Sequence, residues 1–411
     1  MRGPLDGVRV LDLTTVLMGP YATQTLGEYG AEVIKIEGLA GDLVRDLGPT
    51  RNPGMGAVFL NTNRSKQSIS IDLKAAAGRE VVHRLMATVD VFVTNVRPRA
   101  LAKLGLAADT LVEQYPRLIC ANLVGYDQRG PYAGRPAYDD LIQGGSGFSD
   151  LMARASSDIP RYAPNAMADR VVGLTAVGAV TSALYAREKT GQGQAIEIPM
   201  FETMTHFVMS DHLGGHTYSP SHGPAGYARH LSPDRRPLQT SDGYLCALVY
   251  NDQQWERFLK TMDLLDWFDK YDFLRHFERR AERIDQINEM LSSLFLTRTT
   301  DQWIEILEQA DVPYMQMHTL DSILTDPQLA ATDFFREVEH PSEGRLRQMR
   351  TPVQWSRTPV EETKPVPRLG EQTVSLLEGV GYTAAEITTL RADGAVYAAP
   401  DDAPPDSAED A

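Results

Sequence analysis

The first ~200 residues alternate short apolar or period-two runs with helical stretches, and this rhythm leaves few folds open. Val8 to Leu13 reads as a strand, Pro20 to Tyr29 as a helix ended by Gly30, and Glu32 to Glu37 as a strand alternating at period two. Ser68 to Leu73 repeats that period. Ala76 to Thr88 follows as a helix, and Val89 to Asn95 and Leu118 to Gly125 follow as strands. One long helix runs from Asp169 to Lys189, slimmed by Ala and Gly and stopped at Gly191, before a last strand from Gln194 to Pro199. Strands that alternate with helices predict an α/β fold with a mainly parallel sheet.

Composition shifts after residue 220. Ser219 to Pro237 is rich in Pro, Gly, His and Arg and reads as a linker or long functional loop. Residues 238–318 read as a smaller α/β unit, with a strand at Tyr244 to Tyr250 and helices at Gln253–Met262, Ala281–Phe295 and Thr300–Gln309. Residues 319–395 read as a return segment with many turns. The stretch 396–411, rich in Pro, Ala, Asp and Glu, reads as a disordered acidic tail. A length of 411 residues predicts two domains, or one large domain with an insertion.

Several function classes lose weight on composition. The net charge of −15 argues against nonspecific nucleic-acid binding, which needs Lys and Arg to neutralise phosphates. No apolar run approaches the roughly 20 residues of a membrane helix, and the opening residues lack the apolar core of a signal peptide, so the expected location is the cytoplasm. Cys120 and Cys246 lie in apolar runs and are expected to be buried, reduced thiols. The chain has no GxxxxGK[ST] loop, no GxGxxG after the first strand and no GxSxG elbow. His206, His212 and His216 approach metal spacing, but the chain lacks an HExxH or CxxC pattern, and no metal is expected.

Two features carry positive information. Arg64, Lys66, Lys74, Arg97, Arg99 and Lys103 cluster where strands end, and ligands of open α/β sheets bind just outside the carboxyl ends of strands, so a phosphate-bearing polyanion would suit them. Asp169 stands at the start of the long helix, where Asp reads first as an N-cap. The positive end of the helix dipole also favours an ionised carboxylate there, and such a carboxylate can attack a carbonyl and form a covalent intermediate.

Six blocks in order resemble a known family. They are Pro4 to Asp12 with Gly19-Pro20; Leu26-Gly27 with Gly30 to Glu37, Gly41-Asp42 and Arg45; Asn63 to Lys66 with Ser68 to Lys74; Asp90 to Asn95 with Arg97-Pro98 and Leu101 to Gly105; Arg187 to Gln194; and Pro367 to Glu371 with Gly381-Tyr382. Together they resemble the class III CoA-transferases, the CaiB/BaiF or formyl-CoA transferase family. The resemblance implies a large Rossmann-like CoA-binding domain formed by both chain ends, residues 1–220 and 319–395. It also implies a smaller inserted domain, residues 221–318, and an interlocked homodimer. By the same resemblance Asp169 is the nucleophile, and the partners are coenzyme A as co-substrate, an acyl-CoA and a carboxylic acid. No metal, nucleotide cofactor, nucleic acid or membrane is expected. Asn95, Arg97, Lys103, Arg64 and Tyr138 match positions expected to contact CoA, and the main chain at Val16 and Leu73 is expected to line the adenine pocket.

Departures narrow the reading. The related α-methylacyl-CoA racemases use a His in a Gly-His-Asp run; here the run is Ala137-Tyr138-Asp139, and Tyr with its ordinary pKa of about 10 is a poor replacement. Transferase is therefore expected over the racemase alternative, and the presence of Asp169 argues against a CoA-binding regulator with a dead site. Leu17 and Gly38 stand where oxalate-specific relatives have Gln and Arg, and Ala228 to Arg236 replaces a glycine run, which argues against oxalate as acceptor. The Arg-rich loop places Arg229 and His230 as candidate contacts to a different carboxylic acid, such as a dicarboxylate, since Arg binds carboxylates in bidentate fashion.

Overall fold

The computed structural model describes residues 3–156, 159–360 and 363–400. Two compact units emerge: residues 3–146, 163–206 and 328–400 form the larger, and 147–162 with 207–327 the smaller. The segments 207–220, 319–327 and 147–162, expected in the large domain, thus belong to the small unit. The run 147–162 reads as unremarkable turn-and-helix sequence, so nothing local marks the crossing.

The large unit is built on a seven-stranded sheet. Its parallel strands are β1 (Arg9–Leu13), β2 (Glu32–Glu37), β3 (Lys66–Ile71), β4 (Val91–Thr94), β5 (Ile119–Val124) and β6 (Ala195–Pro199). They lie in the order β3-β2-β1-β4-β5-β6, and Val396–Tyr397 adds an antiparallel edge to β3. This is the doubly wound order, in which the direction of winding reverses between β1 and β4. Strands covered on both faces carry nearly continuous apolar runs, as Val10, Leu11, Val33, Ile34, Ile36, Val91, Phe92 and Val93 do, all almost fully buried.

The edge strand corrects the expected tail: residues 396 and 397 are ordered in the sheet, and 401–411 lie outside the described residues. The return segment also holds more than turns. Phe335–His340 and Gly344–Met349 pair as an antiparallel hairpin. Further on, the Gly370 amide donates to Ser68 Oγ (2.9 Å), and Ser68 N donates to Gln372 Oε1 (2.8 Å), pinning the C-terminal segment to β3.

The helix Met167–Thr190 packs along α1 (Met18–Glu28). Gly173 makes the close approach: a Cβ there would lie 2.9 Å from the Met18 carbonyl oxygen. Gly191, with φ of 75°, supplies the left-handed C-cap. By length and composition this helix passes as a candidate membrane span, unlike the expectation from run length. Its face of Ala168, Val172, Ala176 and Val180 is nevertheless buried, as a core helix of a parallel-sheet protein requires.

The small unit holds a three-stranded antiparallel sheet, Leu238–Gln239, Tyr244–Ala247 and Tyr314–Gln316. Its core centres on Trp255, Phe258, Phe295 and Trp303, the last two stacked with centroids 4.1 Å apart. Capping boxes at Asn251/Gln254 and Thr299/Gln302 start two of its helices. Cys246 is exposed, correcting the expected burial of both thiols; Cys120 is buried, and burial pushes its thiol up to about 12.

Candidate active site

The winding reversal between β1 and β4 opens a crevice at their carboxyl ends, where ligands of open α/β sheets bind. A cavity of about 310 Å³ is lined by Thr15 and Val16 after β1, Asn95 and Arg97 after β4, Gly125 after β5 and Met200 after β6. Tyr138, Asp139 and Asp169 complete it, so Asp169, Val16, Asn95, Arg97 and Tyr138 of the expected site lie together.

Asp169 stands in the first turn of the Met167–Thr190 helix, whose N-cap is Ala166. The expected N-cap role is therefore corrected: Asp169 sits three residues inside, and among the described residues no hydrogen bond reaches its carboxylate oxygens. The side chain is buried, with only 8% of the residue exposed. Its backbone N–H donates to Asp139 Oδ1 at 3.0 Å, which keeps a second carboxylate close. Burial first, and the Asp139 charge second, push the Asp169 carboxyl up to about 7, against the pull of Arg170. Arg170 itself stacks its guanidinium 4.3 Å from the Tyr21 ring centroid, fixing the first helical turn against α1.

Gln143, fully buried, organises the wall. Its Nε2 donates to Asp139 Oδ2 (2.5 Å) and to the Asn165 carbonyl (3.3 Å), while its Oε1 accepts from Ala163 N (2.8 Å). Asp139 is thus clamped from one side by Gln143 and from the other by the Asp169 amide. Tyr138, the N-cap of the helix Asp139–Gly145, points its ring outward at 67% exposure.

The opposite wall is the loop after β1. The Asn95 side chain pairs with the Thr15 backbone in both directions: Thr15 N donates to Oδ1 (3.0 Å), and Nδ2 donates to the Thr15 carbonyl (2.9 Å). Val16 follows with φ of 71°, a left-handed conformation that is rare for a β-branched residue. Its amide donates to Asp42 Oδ1 at 3.2 Å. Asp42 is held by Lys35 Nζ (3.0 Å), which also donates to the Thr14 carbonyl (2.8 Å).

Arg97 is exposed at the cavity rim, and among the described residues it has no carboxylate partner. Arg135, on the same rim, stacks over Tyr132 at 4.3 Å. The rim thus carries two cations free to meet an anionic ligand. Lys103 is exposed at the end of the short helix Pro98–Lys103 that Arg97 begins, and does not line the cavity.

Two basic residues of the expected cluster turn inward instead. Arg64 is 3% exposed, and its guanidinium meets Glu28 Oε1 at 2.9 Å. Lys66 is fully enclosed; its Nζ donates to Asp12 Oδ2, the Pro20 carbonyl and Asn63 Oδ1. Neither faces the cavity, because a buried cation must be paired, and each finds its carboxylate inside. Leu73 packs on the apolar core, and its carbonyl accepts from Arg79 (3.2 Å), so it too lies outside the cavity lining.

Arg229 and His230 stand in the small unit. Asp211, His212 and His230 bring three ligand atoms within 4.8 Å of one another. His212 Nδ1 already accepts from Tyr227 N (3.3 Å), which leaves the proton of the neutral ring on Nε2.

Sequence reasoning missed Thr15, Gln128, Arg135 and Met200 on the cavity lining. Only the convergence of strand ends reveals them; for Arg135 the Gly134-Arg135-Pro136 turn is the one local signal.

Comparison with known proteins identifies relatives of the whole chain. The model of CoA-transferase family III matches residues 5–373. A human protein named succinyl-CoA:glutarate CoA-transferase is 32% identical over 382 residues, spanning 92% of this chain and 86% of that protein. A protein of Agrobacterium fabrum named succinate–glutarate CoA-transferase is 31% identical over 394 residues, spanning 93% of this chain and 97% of its own. The solved structure of a CAIB/BAIF family protein from Brucella suis superposes with a TM-score of 0.77 at 30% identity, over 92% of this chain and all of that one.

Proposed function

The chain belongs to CoA-transferase family III, and from that premise we propose that it moves CoA from an acyl-CoA to a free carboxylic acid with Asp169 as the covalent nucleophile. The observation that carries this reading is a buried carboxylate, without a hydrogen bond to its oxygens, on the wall of a cavity with cations at its rim. Its raised pKa makes the ionised form a stronger nucleophile than a surface carboxylate, while leaving a large fraction ionised near neutral pH.

The reaction proceeds in balanced steps. An Asp169 oxygen attacks the thioester carbonyl of the donor, and the C–S bond breaks to release CoA thiolate, leaving a mixed anhydride. The thiolate attacks the aspartyl carbonyl, the donor acid departs as its carboxylate, and an aspartyl-CoA thioester remains. The acceptor carboxylate attacks that carbonyl and displaces the thiolate, which then attacks the acceptor acyl carbon and frees Asp169. No ATP enters, because each step exchanges one activated acyl bond for another. The anhydride must be shielded from water, and the burial of Asp169 serves that end.

Arg97 and Arg135 are suited to the phosphates of CoA, and the Thr15–Val16 main chain to its adenine end. Succinyl-CoA as donor and a short dicarboxylate as acceptor are the substrates to try first, since the relatives named above act on such acids. The racemase alternative is not favoured: Tyr138, in place of the racemase His, is largely exposed. A homodimer accords with the exposed Leu174 and Tyr185 on the long helix.

The test is intact-protein mass spectrometry after mixing the enzyme with succinyl-CoA and trapping with hydroxylamine. A modification on Asp169, absent from Asp169→Asn together with transfer, is the expected result. An Asp169→Asn enzyme that turns over near the wild-type rate overturns the assignment.

A further inference from the structure

The small unit contains a second cavity, of about 440 Å³, within the size range that holds a small organic ligand. Val249, Trp255, Ile287 and Leu291 form its apolar depth, and all four are buried residues of the small unit's core. Its mouth is cationic. Arg280 on the lining is spent internally, on the Leu274 and Tyr250 carbonyls and on Asp252, and Arg236 pairs with Asp234 at 3.0 Å. Arg229 and Arg235 are different: among the described residues neither has a carboxylate within ion-pair distance. Arg229 is half-buried and lies 5.2 Å from the centroid of the Tyr250 ring. The loop that carries both arginines is fastened to the cavity wall, where Asn288 Nδ2 donates to Ser232 Oγ at 2.9 Å.

A half-buried guanidinium without a counter-ion, set over an apolar pocket, asks for an anion with an apolar body. We propose that this cavity binds a free carboxylic acid with an extended apolar tail, the tail among Trp255, Ile287 and Leu291 and the carboxylate at Arg229 and Arg235. The apolar depth offers nothing to a second carboxylate, so a short dicarboxylate does not satisfy it. The two cations are felt nearby: burial first, then Arg235 and Arg229 among other charges, holds the His230 imidazole below its ordinary range despite Asp211. This site is defined by residues of the small unit alone and does not depend on the role proposed for Asp169.

Cys246 lines the cavity and is exposed, whereas Cys120 is fully buried with its thiol pushed up to about 12. One thiol therefore reports on the site. The experiment follows the rate of Cys246 alkylation by neutral iodoacetamide in the full-length enzyme, with decanoate, decanamide or glutarate added. Decanoate is expected to slow alkylation several-fold and saturably, while glutarate leaves the rate unchanged and decanamide binds about tenfold more weakly for want of the charge. Arg229→Gln with Arg235→Gln should weaken decanoate by about tenfold or more. Ala281→Trp, at an exposed lining position, should abolish protection with the fold intact by circular dichroism. Equal protection by glutarate, or decanoate binding that the arginine pair does not alter, overturns the proposal. So does a Cys246 rate that decanoate never changes.

Discussion

Replacing Asp169 with Asn should abolish transfer and at the same time stabilise the protein, by an amount that grows with pH. The folded-state pKa of Asp169 is raised from 3.8 to about 7. A group raised in this way loses stability for the native state as pH climbs from its unfolded value through its folded one, here from about 4 to about 7. A shift of roughly 3 units at 1.36 kcal/mol each gives about 4 kcal/mol of destabilisation above pH 7. The helix dipole at the first turn opposes this by about 0.5–1 kcal/mol, too little to reverse the sign. About 3 kcal/mol remains at pH 8, and about half of it at pH 5. With an unfolding entropy of roughly 2.1 cal/mol/K per residue, 411 residues convert 3 kcal/mol into a midpoint shift of about 3–4 °C. Differential scanning calorimetry of wild type and Asp169→Asn at pH 5 and pH 8, each paired with a transfer assay, reads both effects. A gap that does not widen between the two pH values, or a variant less stable than wild type at pH 8, refutes the argument that burial and Asp139 hold this carboxyl up.

Two further outcomes follow from the same geometry. Since transfer needs the ionised carboxylate, kcat/KM should rise with pH through about 7; because the Asp139 charge is one cause of that raised value, Asp139→Asn, which keeps an oxygen for the Asp169 amide, should move this limb to lower pH in a pH–rate profile. Asn95→Ala removes both hydrogen bonds to the Thr15 backbone, a loss of about 1–2 kcal/mol; calorimetric titration should show CoA binding weakened by roughly tenfold, with the Asp169 adduct still forming at saturating acyl-CoA.

How far the sequence reaches can be judged residue by residue. Glu32–Glu37 is found to the residue because period-two alternation marks its extent and Gly30 closes the helix before it. The long helix is found within two residues at its start because Gly191 and the apolar spacing bound it. Cys246 is misplaced because alternation identifies a strand without saying which face is covered, and in the small unit this face is open. Arg64 and Lys66 are misplaced for a deeper reason. Their partners Glu28 and Asp12 lie 36 and 54 residues away, and a cation near a strand end looks the same in sequence whether it meets a ligand or an internal carboxylate. Arg135 and Gln128 are missed because a cavity made where four strands end exists only once the strand order is known. Asp169 is singled out only by the family resemblance; its own surroundings in the sequence read first as a helix N-cap.

Lys66, which the sequence groups with candidate ligand-binding cations, belongs instead to a buried network with an internal use that the cleft explains. Val16 is held at φ of 71°, and such a conformation in a β-branched residue costs on the order of 1–3 kcal/mol. It persists only because the loop is fixed on both sides: Asn95 grips Thr15, Asp42 accepts the Val16 amide, and Lys35 ties Asp42 to the Thr14 carbonyl. Asp12, in turn, takes the Thr14 amide and hydroxyl while bonding Lys66. Burying Lys35, Lys66, Asp12 and Asp42 together gains little net stability, because desolvation offsets most of the Coulomb attraction. Burial lowers the Lys66 ammonium to about 8 even with Asp12 beside it. A network that contributes little stability but, together with Asn95, fixes the backbone from Thr14 to Val16 is better understood as a positioning device. It holds the β1 loop in one strained shape on the wall that faces Asp169, so that the cavity is formed before a ligand enters and binding need not supply the ordering.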